Sequence, residues 1–220
     1  MKQILALISF MFFSLITYSQ TQEKEASQKY ILKISPTIKF SFATSKKARN
    51  NNYYLTNFIT GLDLNFLTKD KKNNYHDAGV IIGFIPNLSK RKDVKTFYGN
   101  QIGVEYSYRM VYLIKKNPNI GIFTAFGTQI LYTKTEGQTF DYYGSKNTSK
   151  SFEQNFVITP GIQYTKNKFF FDFSVPTSIG YTHLSKRFTT YDNQISVSFN
   201  QNYNLFNWNI GFKASVGIKF

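Results

Sequence analysis

The sequence predicts an all-β protein: a closed, antiparallel transmembrane β-barrel of about eight strands, with short periplasmic turns and longer outer loops. Three observations predict it. Apolar and polar residues alternate with period two in segment after segment. Beyond the N-terminus no apolar run approaches the ~18 residues of a membrane helix, so a spanning chain must close on itself as a barrel. The connections between the periodic segments alternate between long and short.

The N-terminus reads as an export signal. Met1-Lys2-Gln3 is followed by an apolar run from Ile4 to Thr17 and then by Tyr18-Ser19-Gln20. A basic start, a short apolar core and small residues before a cut describe a secretory signal peptide. The run is too short for a membrane anchor, which needs about 20 residues. The expected organisation is a signal peptide over 1–19, a short periplasmic segment over 20–28, and an outer-membrane barrel over 29–220.

Cysteine is absent. That excludes a lipidated N-terminal Cys, a disulfide framework and thiol chemistry. The net charge is +15, which points to an anionic partner. The basic residues fall mainly between the periodic segments, as in Lys46-Lys47, Lys90-Arg91-Lys92, Lys115-Lys116 and Lys186-Arg187. Loops that meet the phosphate-bearing head groups of outer-membrane lipids and lipopolysaccharide would carry such charge, and so would loops that are simply solvated. An exported chain has little access to nucleic acid, so that partner is discounted.

The strands follow in order. From Tyr30 to Phe42 the even positions are apolar or Pro. From Tyr54 to Phe66, Phe58, Leu62 and Leu64 oppose Asn57, Gly61, Asp63 and Asn65. A short third segment sets Ala78, Val80, Ile82 and Phe84 against Asp77, Gly79 and Gly83. Tyr98–Tyr112 alternates Ile102, Val104 and Tyr106 with Gln101, Gly103 and Glu105. Ile120–Tyr132, Phe152–Tyr164 and Phe169–His183 repeat the pattern. The last runs from Phe206 to Phe220. The polar face is rich in Gly, Ser, Thr, Asn and Gln, which suits a narrow lumen. The long connections 43–53, 85–97, 133–151 and 184–205 fall on the outer side. The shorter ones, 67–77, 113–119 and 165–168, carry turn chemistry in Asp70, Asn73, Asn117-Pro118-Asn119 and Asn167. Tyr98 with Tyr112, and Phe169 with Tyr181, stand at opposite strand ends, as aromatic girdles do. Within 184–205, Ile195, Val197 and Phe199 alternate out of phase with the final strand. A bulge near Leu205, a hairpin above the membrane tipped by Asp192-Asn193, or further strands would each account for it.

Charged residues occupy the polar face: Lys33, Lys39, Arg109, Lys213 and Lys219 against Asp63, Asp77, Glu105, Glu153 and Asp172. Charges in a narrow lumen must be paired or hydrated. The expected result is a polar network that plugs the barrel, with Glu105 as a provisional partner for Arg109. A small polar conduit is the alternative, though open channels need roughly sixteen strands. No metal-ligand spacing or phosphate loop is present, and no cofactor is expected. The loop cluster Phe140-Asp141-Tyr142-Tyr143 is a candidate contact for a protein partner. His76 falls in a periplasmic turn without a candidate partner.

The terminal strand WNIGFKASVGIKF, with Trp208, Phe212 and the aromatic Phe220, resembles the signal read by the barrel assembly machinery. The apolar leader ending YSQ, the Lys/Asn/Phe/Tyr-rich composition and the size resemble the small PorT-like outer-membrane barrels of Bacteroidetes. The architecture is similar to OmpA- and OmpX-type barrels. The resemblance implies an outer-membrane location in a Gram-negative cell. It implies little about activity, because the architecture serves adhesins, enzymes and secretion accessories alike. His183 and Ser185 form a His-x-Ser pair that resembles the outer-leaflet site of lipid A deacylases, with His as base and Ser as nucleophile. Lys186-Arg187 departs from that family's Ser-Asn pattern, and Asp192 is the candidate for the orienting carboxylate. The favoured reading is a non-enzymatic barrel that acts through its outer loops or as an accessory of a larger complex; the alternative is a lipid-modifying enzyme using His183 and Ser185.

The export reading makes a direct prediction. N-terminal sequencing of the mature protein from fractionated cells should begin near Gln20, in the membrane fraction; intact chain in the cytoplasm would overturn it.

Overall fold

Alternation leaves each strand with one face that avoids water and one that seeks it, while every backbone N–H and C=O still needs a partner. A ring of strands satisfies both demands. A computed structural model describes residues 30–43, 57–70, 73–86, 94–139, 145–192 and 195–220. It contains β1 (Tyr30–Ala43), β2 (Asn57–Lys69), β3 (Tyr75–Ile85), β4 (Val94–Ile114), β5 (Asn117–Thr139), β6 (Ser145–Lys166), β7 (Phe169–Ser174), β8 (Thr177–Asp192) and β9 (Ile195–Lys219). All pairings are antiparallel: β1 to β6 pair in chain order, β6 pairs with both β7 and β8, both of these pair with β9, and β9 returns to β1. Residues 1–29, with the expected signal peptide, and the Phe140–Tyr143 cluster lie outside the described residues.

β7 and β8 are one stave. Both lie between β6 and β9, and both keep the same register with each neighbour: Gly161↔Ser174 continues into Ile158↔Thr177, and Ser174↔Lys213 into Thr177↔Ile210. The interruption falls at Val175-Pro176. Pro has no N–H to give the ladder, yet the neighbours still engage the break: Val175 donates to the Pro160 carbonyl at 3.0 Å, and Gly211 donates to the Pro176 carbonyl at 2.8 Å. The nine strands therefore make eight staves, as the alternation predicts.

The apolar face points outward. Ile34, Leu62, Ile82, Ile102, Ile122, Phe156, Phe173 and Val216 are exposed on successive staves, whereas Ser35, Asp63, Asp77, Arg109, Asn155 and Ser215 are buried. This inverts a soluble barrel, and such a continuous apolar exterior belongs in hydrocarbon. The seam is zipped at its end by mutual hydrogen bonds. Tyr30 donates to the Phe220 carbonyl at 3.2 Å, and Phe220 donates to that of Tyr30 at 3.0 Å. Trp208 stacks on Phe42 across the seam with ring centroids 4.4 Å apart.

The inner turns are tight. Asn73 and Asn167 take positive φ of 72° and 54°, a conformation that Asn tolerates better than most residues. The two-residue turn between β4 and β5 is Lys115-Lys116, and Asn117 already begins β5.

On the outer side two of the four long connections expected from sequence prove much shorter, while most of 43–53 and 85–97 lies outside the described residues. Much of 133–151 and 184–205 is strand: β5 and β6 pair up to Thr139↔Ser145, and β8 and β9 up to Asp192↔Ile195. The apolar alternation ends where the wall leaves the membrane, but polar residues pair equally well in water. Thr189 and Ser198 share a hydrogen bond at 3.1 Å across the exposed β8–β9 ladder. The phase change at Ile195–Phe199 is therefore a hairpin and not a bulge, since the β8–β9 register is unbroken from Thr177↔Ile210 to Asp192↔Ile195. Neither a bulge near Leu205 nor a further strand is needed.

Deleting residues 206–220 removes β9's pairing with β1 and β7. Each backbone group stranded in hydrocarbon then costs several kcal/mol. The truncated chain should fail to insert and should lose heat-modifiable gel migration; a folded, membrane-embedded truncate would show that the ring closes elsewhere.

Candidate functional site

Eight staves enclose a space that side chains must fill, and the odd positions of β1 to β6 and β9 supply most of them. The lumen is layered from the N-terminal end of β1 upward. The bottom layer is apolar: Ile31, Leu67, Tyr75, Val111, Phe123 and Phe170 form one buried cluster. Sequence reading assigned this face to polar groups and missed the cluster. The residues were visible, but isolated apolar side chains on a mostly polar face carry no periodic signal.

The next layer is ionic. Lys33 Nζ donates to Asp77 Oδ2 at 2.8 Å and stands 3.6 Å from Asp172 Oδ2. Arg109 donates through Nη1 to Asp172 Oδ2 at 2.8 Å and through Nη2 to Asp77 Oδ2 at 3.4 Å. Two cations thus share two carboxylates across β1, β3, β4 and β7. The Arg109 guanidinium also lies over the Phe123 ring, 3.8 Å from its centroid, a stacking that a delocalised cation favours. The partner expected for Arg109, Glu105, is not the partner found. Residues four apart on one strand lie about 13 Å from each other, whereas Asp77 and Asp172 approach across the lumen.

Glu105 belongs to a second group. Lys213 Nζ lies 2.5 Å from Asp63 Oδ2 and 2.9 Å from Glu105 Oε1. Asn65 donates to Glu105 at 2.6 Å and to Asp77 at 2.9 Å, linking the two groups, and Gln129 donates to Glu105 at 2.8 Å. Ser215 donates to Asp172 at 2.6 Å and accepts from Ser35 at 2.8 Å. Asn65, Gln129, Ser35 and Ser215 were not singled out by sequence; a neutral donor becomes a network member only once the register places it beside a charge. Higher still, Lys39 stands 4.0 Å from Glu153, to which Asn207 donates at 3.3 Å. A cavity of about 40 Å³ is lined by Lys39, Asp63, Asn209 and Lys213, room for a water or two. Lys219 lies at the end of β9, outside these groups.

The His-x-Ser pair sits on the outward face of β8. His183 Nδ1 lies 2.8 Å from Asn204 Oδ1, its direct cross-strand neighbour. An amide occupies the place where an orienting carboxylate would stand. Asp192 is nine residues further along β8, about 30 Å at ~3.3 Å per residue, and cannot reach His183. His76 departs from expectation too. It lies in β3, its Nδ1 is 2.7 Å from the Tyr106 hydroxyl, and its ring packs against Tyr108. Tyr108 donates to Asp70 at 3.1 Å and accepts from Asn74 at 3.0 Å. Of the terminal-strand residues, Trp208, Phe212 and Phe220 all face outward, and all pair against β1 or its end.

No family model matches the chain, and no curated protein does. Solved structures do. Ail, the attachment invasion locus protein of Yersinia pestis, is 9% identical with a TM-score of 0.48, covering 88% of this chain and 100% of its own. A major outer membrane protein from Thermus thermophilus is 8% identical with a TM-score of 0.47, covering 87% and 99%. The outer membrane protease OmpT from Escherichia coli is 10% identical with a TM-score of 0.18, covering 91% and 100%. These structural neighbours are outer-membrane β-barrel proteins.

Arg109→Ala would leave Asp77 and Asp172 short of a cation inside the wall, at an expected cost of roughly 3–5 kcal/mol. Urea unfolding in detergent micelles, followed by the fluorescence of Trp208, the sole tryptophan, measures it. A double-mutant cycle should couple Arg109 to Asp172 by about 1 kcal/mol or more and leave Arg109 and Glu105 near additive. The reverse pattern would reassign the pair.

Proposed function

We propose that this chain is a small, non-enzymatic outer-membrane barrel. Its lumen is closed by its own side chains, and its working part is the sheet that rises above the membrane to engage another protein. One observation carries the reading. A transmembrane strand needs about 9–11 residues, yet β4, β5, β6 and β9 run for 21, 23, 22 and 25. Twelve residues of β9, Ile195 to Phe206, continue past its last pair with β1, Ala43↔Asn207. Wall that long is not needed to cross hydrocarbon. It builds a rigid polar platform outside, and binding residues are best held on rigid elements.

The closed lumen supports this reading. The Lys33–Asp77–Arg109–Asp172 layer bridges opposite walls above a buried apolar floor, so a solute path would have to break buried ion pairs. Catalysis stays outside the proposal, because His183 is bound to the Asn204 amide and Asp192 is remote. We place the chain with the PorT-like barrels of Bacteroidetes on the leader and composition described above, and we assign delivery to the barrel assembly machinery on the outward aromatic residues of β9. A role as an accessory of a larger outer-membrane or secretion complex is one form that engagement by the platform would take.

Two measurements test the proposal. Planar-bilayer recordings should show baseline conductance; large, stable pores would overturn the closed lumen. A photo-crosslinker at the exposed Asn200 should give a discrete adduct on intact cells, whereas one at Lys116 in the opposite turn should not. Adducts from position 116 alone would move the working surface to the periplasmic end.

A further inference from the structure

The outward face of β5, β6 and β8 carries a cluster of cations that the described residues do not neutralise. Lys134 lies directly across the ladder from Lys150, and Lys150 directly across from Ser185. One row further out, Glu136 faces Thr148, which faces Arg187. Lys134, Lys146, Lys150 and Arg187 are all exposed. Like charges directly opposite on a sheet are destabilising. The sheet nevertheless places Lys134 and Lys150 in that arrangement.

Among the described residues a single carboxylate serves the group. Glu136 lies 2.6 Å from Lys134 and 3.9 Å from Lys146, and Tyr98 donates to it at 3.2 Å. The hydrogen bonds from Lys134 and Tyr98 hold its carboxyl below the usual range, so it stays ionised and committed to these partners. Lys150 and Arg187 have no ion pair among the described residues. Four cations against one carboxylate leave a surplus of three.

The neighbouring row identifies what fills that surplus. One step towards the membrane on the same strands, Tyr132 faces Phe152, which faces His183, and Tyr181 lies one step further. Tyr132, Phe152 and Tyr181 are 41%, 44% and 48% exposed. The cluster therefore sits at the upper rim of the apolar band, with aromatic rings directly below and polar strand above. A soluble anion would need the cations alone. A lipid needs both halves: a phosphate at the height of Lys150 and Arg187, and acyl chains along Phe152 and Tyr181.

From this placement we infer that Lys134, Lys150 and Arg187 form a binding site for the phosphate group of an outer-leaflet lipid, whose acyl chains lie on the aromatic row beneath. Lys150 and Arg187 hold the phosphate between them, diagonal neighbours about 7–8 Å apart at the backbone with side chains long enough to converge. Arg supplies the planar fork that matches phosphate oxygens. The bound phosphate also relieves the Lys134–Lys150 repulsion. The inference is independent of any protein partner at the platform.

The test uses folded full-length protein in dodecylmaltoside micelles, titrated with phosphatidylglycerol, phosphatidylcholine or inorganic phosphate, with bound lipid counted by native mass spectrometry. Phosphatidylglycerol should be retained. Lys150→Gln combined with Arg187→Gln should weaken it about 30-fold, taking each rim cation at its usual worth. Lys69→Gln combined with Lys116→Gln, at the opposite rim, should leave it unchanged. Heat-modifiable migration confirms that each variant is folded; if the double variant is not, Lys150→Gln alone should weaken binding several-fold. Equal retention by wild type and the folded variant would overturn the site. So would equal retention of phosphatidylcholine, or inorganic phosphate displacing the lipid at equal concentration.

Discussion

The whole structure depends on one constraint: in hydrocarbon, each backbone N–H and C=O must find its partner within the protein. For strands that means closure, and closure here is the β1–β9 seam, sealed by the reciprocal Tyr30–Phe220 hydrogen bonds. Closure on eight staves then sets the radius, and the radius is too small for solvent to fill the interior. Side chains must fill it instead. The outward face has only to be apolar. The inward face has to satisfy its own polar groups in a confined space, and that second demand shapes the lumen.

The lumen meets it by sharing. Asp77 and Asp172 each serve Lys33 and Arg109, while Lys213 serves Asp63 and Glu105. Desolvating a lone pair of ions is costly, and the cost is recovered only when the remaining lone pairs and protons are also bonded. Asn65, Gln129, Ser215 and Thr37 supply several of those bonds, while Asp63 Oδ1 and Arg109 Nε find no protein partner among the described residues. Such a network contributes rigidity and a sealed interior more than net stability. The apolar floor of Phe123 and Phe170 keeps one end of it dry and gives the Arg109 guanidinium a flat surface to rest on.

Much of this was legible in the residues alone, for a physical reason. Period-two alternation is a local property, and hydrocarbon punishes any departure from it, so the eight staves and their outward faces could be read directly. The charged lumen positions could be read the same way. Their pairing could not, because it depends on register across the ring: Arg109 meets Asp172 through a separation of 63 residues. The tall outer strands were missed because the hydrophobic signal stops at the membrane surface although the ladder does not. His76 was misjudged for a related reason. Its partner, Tyr106, lies on the neighbouring strand, where no local motif points to it.

Two prolines of the wall, Pro36 and Pro176, flank the closing strand β9. Pro36 lies on β1 beside β9, and the β1–β9 ladder skips from Ile34↔Val216 to Thr37↔Lys213 around it. Pro176 lies on the other flank of β9, at the break between β7 and β8, next to Gly211. The closing strand is thus short of ladder donors on both sides at one level, close to Lys213 and its two carboxylates. A barrel wall is ordinarily as strong as its uniform lattice. This one has a thinned stretch of ladder on its closing strand, bridged by the Ser35–Ser215 hydrogen bond rather than by backbone. The closing strand is therefore thinnest in backbone hydrogen bonds midway along the seam and regular towards the Tyr30–Phe220 end.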